Sequence, residues 1–158
     1  MMKMGTNVVI DDVLIRDYNA VADESFIYAT WIKSFRDSSF CRAVPAPIYE
    51  RSQRQRIGNI LSRDTTYILI ATPKDTPELI LGYLVGESPN VIHYLYVKKD
   101  YRKLGLTDKL FWFKDGWSAD EPILYTHKSA DIWVEKKLQD SSKLKNFLYD
   151  PYQLERTE

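Results

Sequence analysis

Residue types that could do chemistry concentrate between Val91 and Thr107, within the stretch VIHYLYVKKDYRKLGLTDKLFWF that runs from Val91 to Phe113. Its first seven residues, Val91 to Val97, are β-branched, aromatic and apolar around a single imidazole, the pattern of a strand. A polar, basic run follows through Lys98, Lys99, Asp100, Tyr101, Arg102 and Lys103. At Gly105 an amphipathic helix begins, with Leu106, Leu110 and Phe113 at helical spacing. Strand, short basic loop with glycine, helix is an order that makes an anion site: the first backbone N–H groups of a helix have no intrahelical acceptor, and the helix dipole favours negative charge there. Gly105 has no Cβ to hold a ligand away from the main chain. A loop of this kind also serves merely to join two elements, so the site needs a second signal.

His93 and Glu87 are the candidate bases. An unperturbed imidazole titrates near pH 6.5, which suits proton abstraction directly or through one water. His93 stands two residues before Leu95 and, on regular strand alternation, shares its face. The competing reading is a half-buried strand histidine bonded to a neighbour. Glu87 closes the preceding strand and is the reserve candidate, against an exposed strand-end carboxylate. His127, at the end of a later strand, could touch a ligand or be a satisfied structural histidine. Arg51, Arg54, Arg56 and Arg63 lie in or beside one predicted helix; if they line a site they predict an acidic acceptor or partner, and otherwise they are solvated.

The elements that must position these groups read as follows. Val8 to Ile15 is a strand. Helices are expected over 23–37, where Phe26, Ile27, Trp31, Ile32 and Phe35 recur at threes and fours, and over 48–62, with Tyr49, Ile57, Ile60 and Leu61 toward the core. Between them Pro45 and Pro47 break the pattern. Strands over Thr66–Thr72, Leu79–Glu87 and Val91–Val97 are joined by Pro- and Asn-containing turns, which gives an antiparallel meander. After the helix at Gly105, Asp115-Gly116 reads as a stop. Pro122–His127 is a strand, Ser129 opens a helix to about Gln139, and Phe147–Tyr149 is a last strand before a polar tail that frays from about residue 153. The order β-α-α-β-β-β-α-β-α-β excludes a doubly wound dinucleotide fold, in which strand and helix alternate throughout.

Composition removes several function classes. The chain has 158 residues, enough for one domain with a proper core. Its 22 basic and 22 acidic residues cancel, so no global charge draws it to nucleic acid or anionic lipid. Lys98, Lys99, Arg102 and Lys103 are too local a patch to outweigh that balance. Cys41 is the only cysteine, which rules out an intramolecular disulfide, and with His93 and His127 as the only histidines no zinc set is expected. No apolar run reaches the ~20 residues that span a bilayer, and the N-terminus lacks a secretory core. The expected compartment is the cytoplasm.

The segment Val97–Leu106, V-x-x-x-Y-R-K-x-G-L, resembles the acyl-CoA signature of the GNAT N-acetyltransferase superfamily, R/Q-x-x-G-x-G/A after a strand ending in L-x-V. Leu95, Tyr96 and Val97 fill the strand end; Arg102, Lys103, Leu104, Gly105, Leu106 and Thr107 fill the loop. Thr107 departs from the pattern, which has glycine or alanine there, and its methyl group narrows the approach. The element order is similar to that of the family over nearly the whole chain. FIYATWIKSF, HYLYVKKDYRKLGL and the terminal LYDPY further resemble GNAT-like proteins of tailed bacteriophages, for which the compartment would be the host cytoplasm.

The resemblance implies an α/β (α+β) fold: a mixed, mostly antiparallel sheet of six to seven strands, helices on both faces, and a splay between the fourth and fifth strands that admits acetyl-CoA. It implies transfer of an acetyl group to a primary amine of a small molecule or protein. The 102–107 loop would hold the pyrophosphate, and the backbone of Leu95, Tyr96 and Val97 the pantetheine arm, with an N–H near Val97 meeting the thioester oxygen. The family's helical tyrosine acid has no counterpart, since Trp133 or Val134 stands at that place. Tyr149 or Tyr152 could substitute, and a thiol of pKa about 8.5 can also leave as thiolate. Relatives are often homodimers. The alternative is a non-catalytic member that binds a phage or host protein, to which Thr107 and the abundance of aromatic residues point.

Overall fold

The computed structural model describes residues 12–36, 39–113, 121–127 and 147–155. In chain order the elements are β1 (Val13–Asp17), α1 (Ala20–Arg36), α2 (Ser39–Arg42), α3 (Ala46–Leu61), β2 (Thr66–Pro73), β3 (Gly82–Glu87), β4 (Val91–Val97), a 3-10 helix (Lys99–Leu104), α4 (Leu106–Phe113), β5 (Ile123–Tyr125), β6 (Phe147–Tyr149) and a second 3-10 helix (Pro151–Glu155). Among the described residues six strands form one sheet in sequence order. Pairing is antiparallel from β1 through β4 and parallel from β4 through β6. This is the GNAT-like architecture the sequence led us to expect. The helix expected over 129–139, the stop at Asp115-Gly116 and the residues before Asp12 lie outside the described residues.

The sheet carries a core on each face. On one side α1 and α3 bury Ile27, Trp31, Ile57 and Ile60 against Ile70, Tyr83, Val85 and Tyr94. On the other, Leu106 and Leu110 of α4 pack with Leu69, Leu81, Leu84 and Val97. A third cluster joins Phe111 of α4 to Ile92, Ile123 and Phe147. Phe111 is fully buried and Phe113 is 54% exposed, the reverse of the expected spacing. Two turns of helix serve two clusters here, so the stripe bends toward β5 after Leu110.

Local chemistry sets the boundaries. α1 starts at Ala20 because Asn19, not the acidic run beyond it, is the N-cap: its Oδ1 accepts from the N–H of Val21 and Ala22 at 3.0 and 3.2 Å. Asp23 reaches back to the Asn19 N–H at 2.8 Å, a capping box. The same carboxylate takes two hydrogen bonds from the Arg16 guanidinium, both 2.8 Å, fastening β1 to α1 and holding Asp23 below the usual carboxylate range. β1 itself lies two residues beyond the expected end, over Val13–Asp17. β3 begins at Gly82, where a Cβ would sit 2.6 Å from the Tyr96 carbonyl oxygen. The chain end is docked through Glu155 where fraying was expected: Leu154 is buried and Arg63 donates to the carbonyls of Gln153 and Leu154 at 3.1 and 3.0 Å.

Candidate active site

β4 contains one residue more than its partner. Val85 of β3 faces Tyr94 while Gly86 faces Ile92, which leaves His93 opposite nothing in β3. An extra residue of this kind is a β-bulge, and it reverses the alternation of the strand. Ile92 therefore packs with Phe111 on the α4 face, whereas Tyr94 packs with Trp31 on the α1 face. The expectation that His93 shares a face with Leu95 fails for this reason: Leu95 packs toward α4, and His93 bonds to Glu87 on the other side.

The same register decides which amides are available. Lys98 N–H donates to the Leu81 carbonyl at 2.9 Å. Counting back by two along an antiparallel ladder, Tyr96 and Tyr94 use their N–H and C=O on β3, and Leu95 and Val97 turn theirs toward the β5 side. Tyr96 is thus removed from the expected set of backbone contacts. On that side β5 pairs only with Val91 and Ile92. Leu124 N–H donates to Asn90 at 2.8 Å and Thr126 N–H to Ile92 at 3.0 Å, the last rung among the described residues. Among the described residues no backbone rung joins the two strands beyond His93 and Thr126, and this end of the pair is the opening.

A buried hydrogen-bonded chain closes the floor of the opening. Arg63 Nη1 donates to Glu87 Oε1 at 2.9 Å, and Thr65 Oγ1 donates to Glu87 Oε2 at 2.6 Å. His93 Nε2 lies 2.8 Å from Glu87 Oε1, and Nδ1 lies 3.2 Å from Thr126 Oγ1. A carboxylate already accepting from an arginine makes Nε2 the protonated nitrogen, so Nδ1 accepts from the threonine hydroxyl. That hydroxyl also reaches the His93 carbonyl at 3.1 Å, and its single hydrogen serves one acceptor at a time. His93 is fully buried; burial and the Arg63 charge push its pKa down to about 3. Such an imidazole stays neutral near pH 7 and is a poor proton acceptor. Glu87 is buried and ion-paired, not an exposed strand end.

α1 touches both lips of the opening. Trp31 stacks on Tyr94 of β4 at 5.2 Å and 12°. Ser34 Oγ lies 2.8 Å from His127 Nε2, just past β5. Since Ser34 gives its hydrogen to the Trp31 carbonyl at 2.6 Å, the imidazole is the donor in that bond. The His127 ring, 4% exposed, also packs on Tyr94 at 4.7 Å. His127 is structural in this arrangement.

Arg102, Lys103 and Leu104 lie in the 3-10 helix rather than an open loop. Gly105 ends that helix at φ 79°, the left-handed conformation that only glycine adopts without strain, and a Cβ there would meet nothing within 4 Å. Lys109 N–H to Gly105 O, at 3.1 Å, is the first turn of α4, so the amides of Leu106 and Thr107 precede it. Asp108 adds a carboxylate to the same turn. Tyr149 is 40% exposed, faces Tyr125 at 5.6 Å, and is separated from β4 by β5. His93 and Tyr149 are not brought together. The four arginines also part: Arg63 is buried on Glu87, Arg56 meets Glu155 at 2.5 Å, Arg54 lies over the Tyr28 ring at 5.5 Å, and Arg51 is exposed. The sequence reading missed Arg63 and Thr65 as partners of Glu87, and Thr126 as a partner of His93; only the offset of Glu87 and His93 across a short hairpin hinted at their pairing.

Strand order and pairing are those of a GNAT-like fold. A putative acetyl transferase from Pyrococcus furiosus superposes with a TM-score of 0.50 at 15% identity, covering 92% of this chain and 83% of that one. An aminoglycoside acetyltransferase from an uncultured soil metagenomic sample, in complex with sisomicin, gives 0.46 at 17%, over 84% and 88%. A ribosomal-protein-alanine N-acetyltransferase from Brucella melitensis biovar Abortus 2308 gives 0.43 at 12%, over 90% and 85%. At these identities the likeness is one of fold. No protein-family model matches the sequence, and no curated protein is similar to it in sequence. Among the described residues no helix is long and apolar enough to cross a membrane, and no cluster of acidic, cysteine or histidine side chains could hold a metal ion.

Proposed function

We propose that the chain is an acetyl-CoA-dependent N-acetyltransferase acting on a primary amine. The observation that supports this most is the last β4–β5 rung among the described residues, at Ile92 and Thr126, beyond which Leu95 turns its backbone groups toward the β5 side. In this reading the pantetheine arm continues the ladder beyond that rung, and the diphosphate meets the amides of Leu106 and Thr107 beyond Gly105. An N–H at the same edge would stabilise the oxyanion as the amine attacks the thioester carbonyl. One such preorganised donor is worth about 10²–10³ in rate. His93 acts as a positioning residue, holding the bulge through Glu87 and Thr126, and the ammonium proton leaves to solvent. The sulfur departs as thiolate without a tyrosine acid.

Thermal melting with millimolar acetyl-CoA, followed by detection of free CoA over a panel of amines, tests both steps. A hundredfold excess over Kd stabilises by about 3 kcal/mol. No shift in melting temperature would sink the proposal. A shift without turnover on any amine would favour the second reading, a non-catalytic GNAT-like module that binds a phage or host protein. The enclosure of His93 favours that reading, because it removes the one imidazole expected to serve as base.

A further inference from the structure

An open trough of about 390 Å³ runs between α1 and α3. It lies on a flank of α1 different from the one that carries Trp31 and Ser34 to the strands. Its floor is Ile32 of α1 and Tyr49 of α3, both buried. Ala29 and Ala46, small and exposed, leave the space above them open. Cross-links fix the trough's width. Tyr49 Oη donates to the Ile32 carbonyl, and Arg36 Nη1 donates to the carbonyls of Cys41 and Val44 at 3.0 and 2.8 Å. The Arg36 guanidinium lies over the Tyr49 ring at 5.1 Å. A groove pinned in this way need not be ordered by what enters it.

Among the described residues, no charge on its rim is in an ion pair. Lys33 on one wall and Glu50 on the other have no ion-pair or hydrogen-bond partner among the described residues. Among the described residues Arg54 meets the Tyr28 ring. With Arg36 beneath, three cations face one carboxylate in a chain whose total charge is zero. The polar groups stand at the rim and do not converge on the floor, which suits an extended chain better than a small molecule enclosed by donors.

We propose that this trough is a docking groove for a short acidic peptide segment of a partner protein, with one apolar side chain on Ile32 and Tyr49 and carboxylates against Lys33 and Arg54. The inference is independent of acetyl transfer. Selection of a randomised octapeptide display library on the wild-type chain is the test, with K33E/R54E and A29F/A46F as parallel targets. Both pairs of positions are exposed, and unchanged melting temperatures will show that the variants fold.

The expected result is enrichment of peptides with acidic residues flanking one apolar anchor. A synthetic consensus peptide should bind at least ~10-fold more weakly to K33E/R54E, and lose its salt dependence there. It should also be displaced by the two phenylalanines. Enrichment of neutral or basic peptides would overturn the proposal, as would equal enrichment on wild type and K33E/R54E. So would the absence of any enrichment, or dimerisation of the wild type that A29F/A46F abolishes.

Discussion

Replacing His93 by glutamine should flatten the acid side of the stability profile. In the fold the imidazole is held neutral, with a pKa of about 3; in the unfolded chain it titrates near 6.5. Between those values the unfolded state binds a proton that the native state does not, so stability must fall as pH falls through this window. At 1.36 kcal/mol per pH step, the loss is about 2 kcal/mol at pH 5 and about 3.5 kcal/mol at pH 4, relative to pH 7.5. Set against a typical ~5–15 kcal/mol for a domain, that is a large share. Glu87 and Arg63 are the charged groups that face the ring, and their pairing in the same cluster leaves the carboxylate committed to the arginine. Glutamine can still donate to Glu87 and accept from Thr126, but it cannot titrate. Urea unfolding of both proteins at pH 7.5, 6, 5 and 4 reads the effect, and the difference between them cancels His127 and the carboxylates. A wild-type free energy that is flat from pH 7.5 to 5, or a variant that keeps the wild-type slope, would refute the reasoning.

Thr72→Val should stabilise by about 1 kcal/mol and raise the melting temperature by about 3 °C, because Thr72 is fully buried and its hydroxyl has no hydrogen-bond partner among the described residues. Gly86→Ala should destabilise by about 2 kcal/mol, since the new Cβ would stand 2.4 Å from the Tyr67 ring across the β2–β3 pair. Adding Tyr67→Leu should recover part of that loss in urea melts. Arg63→Met should cost about 3–5 kcal/mol by stranding the buried Glu87 carboxylate, while the Arg63→Met/Glu87→Leu pair should be much closer to wild type in the same melts.

The meander and the helix after Gly105 were legible because their signals are local. Two-residue alternation, turn residues between strands, and one glycine followed by a helical stripe need no knowledge of distant partners. Parallel pairing of β5 and β6 is a long-range property and entered only through the family resemblance. The bulge at His93 was illegible for a related reason. VIHYLYV alternates as well with as without an extra residue, and only the register against β3 shows where it sits. Arg63 reads as a solvated arginine at a helix end until Glu87 is brought to it across 24 positions. The helix expected from residue 23 begins at Ala20 because Asn19 holds the position before it, and Asp23 works in the cap only through Asn19.

The opening between β4 and β5 has a width that neither strand sets alone. β5 is three residues long and is held on its far side by β6. β4 is turned at His93, whose ring is fixed from below by Glu87 and from β5 by Thr126. Above them a single helix bridges the gap, with Trp31 on Tyr94 of one lip and Ser34 on His127 of the other, three residues apart on α1. A helix is stiff over that distance, so the lips cannot separate without breaking either the stack or the hydrogen bond. The cap of that helix is tied to β1 by Arg16 and Asp23, and its last turn to α2 and the loop before α3 by Arg36.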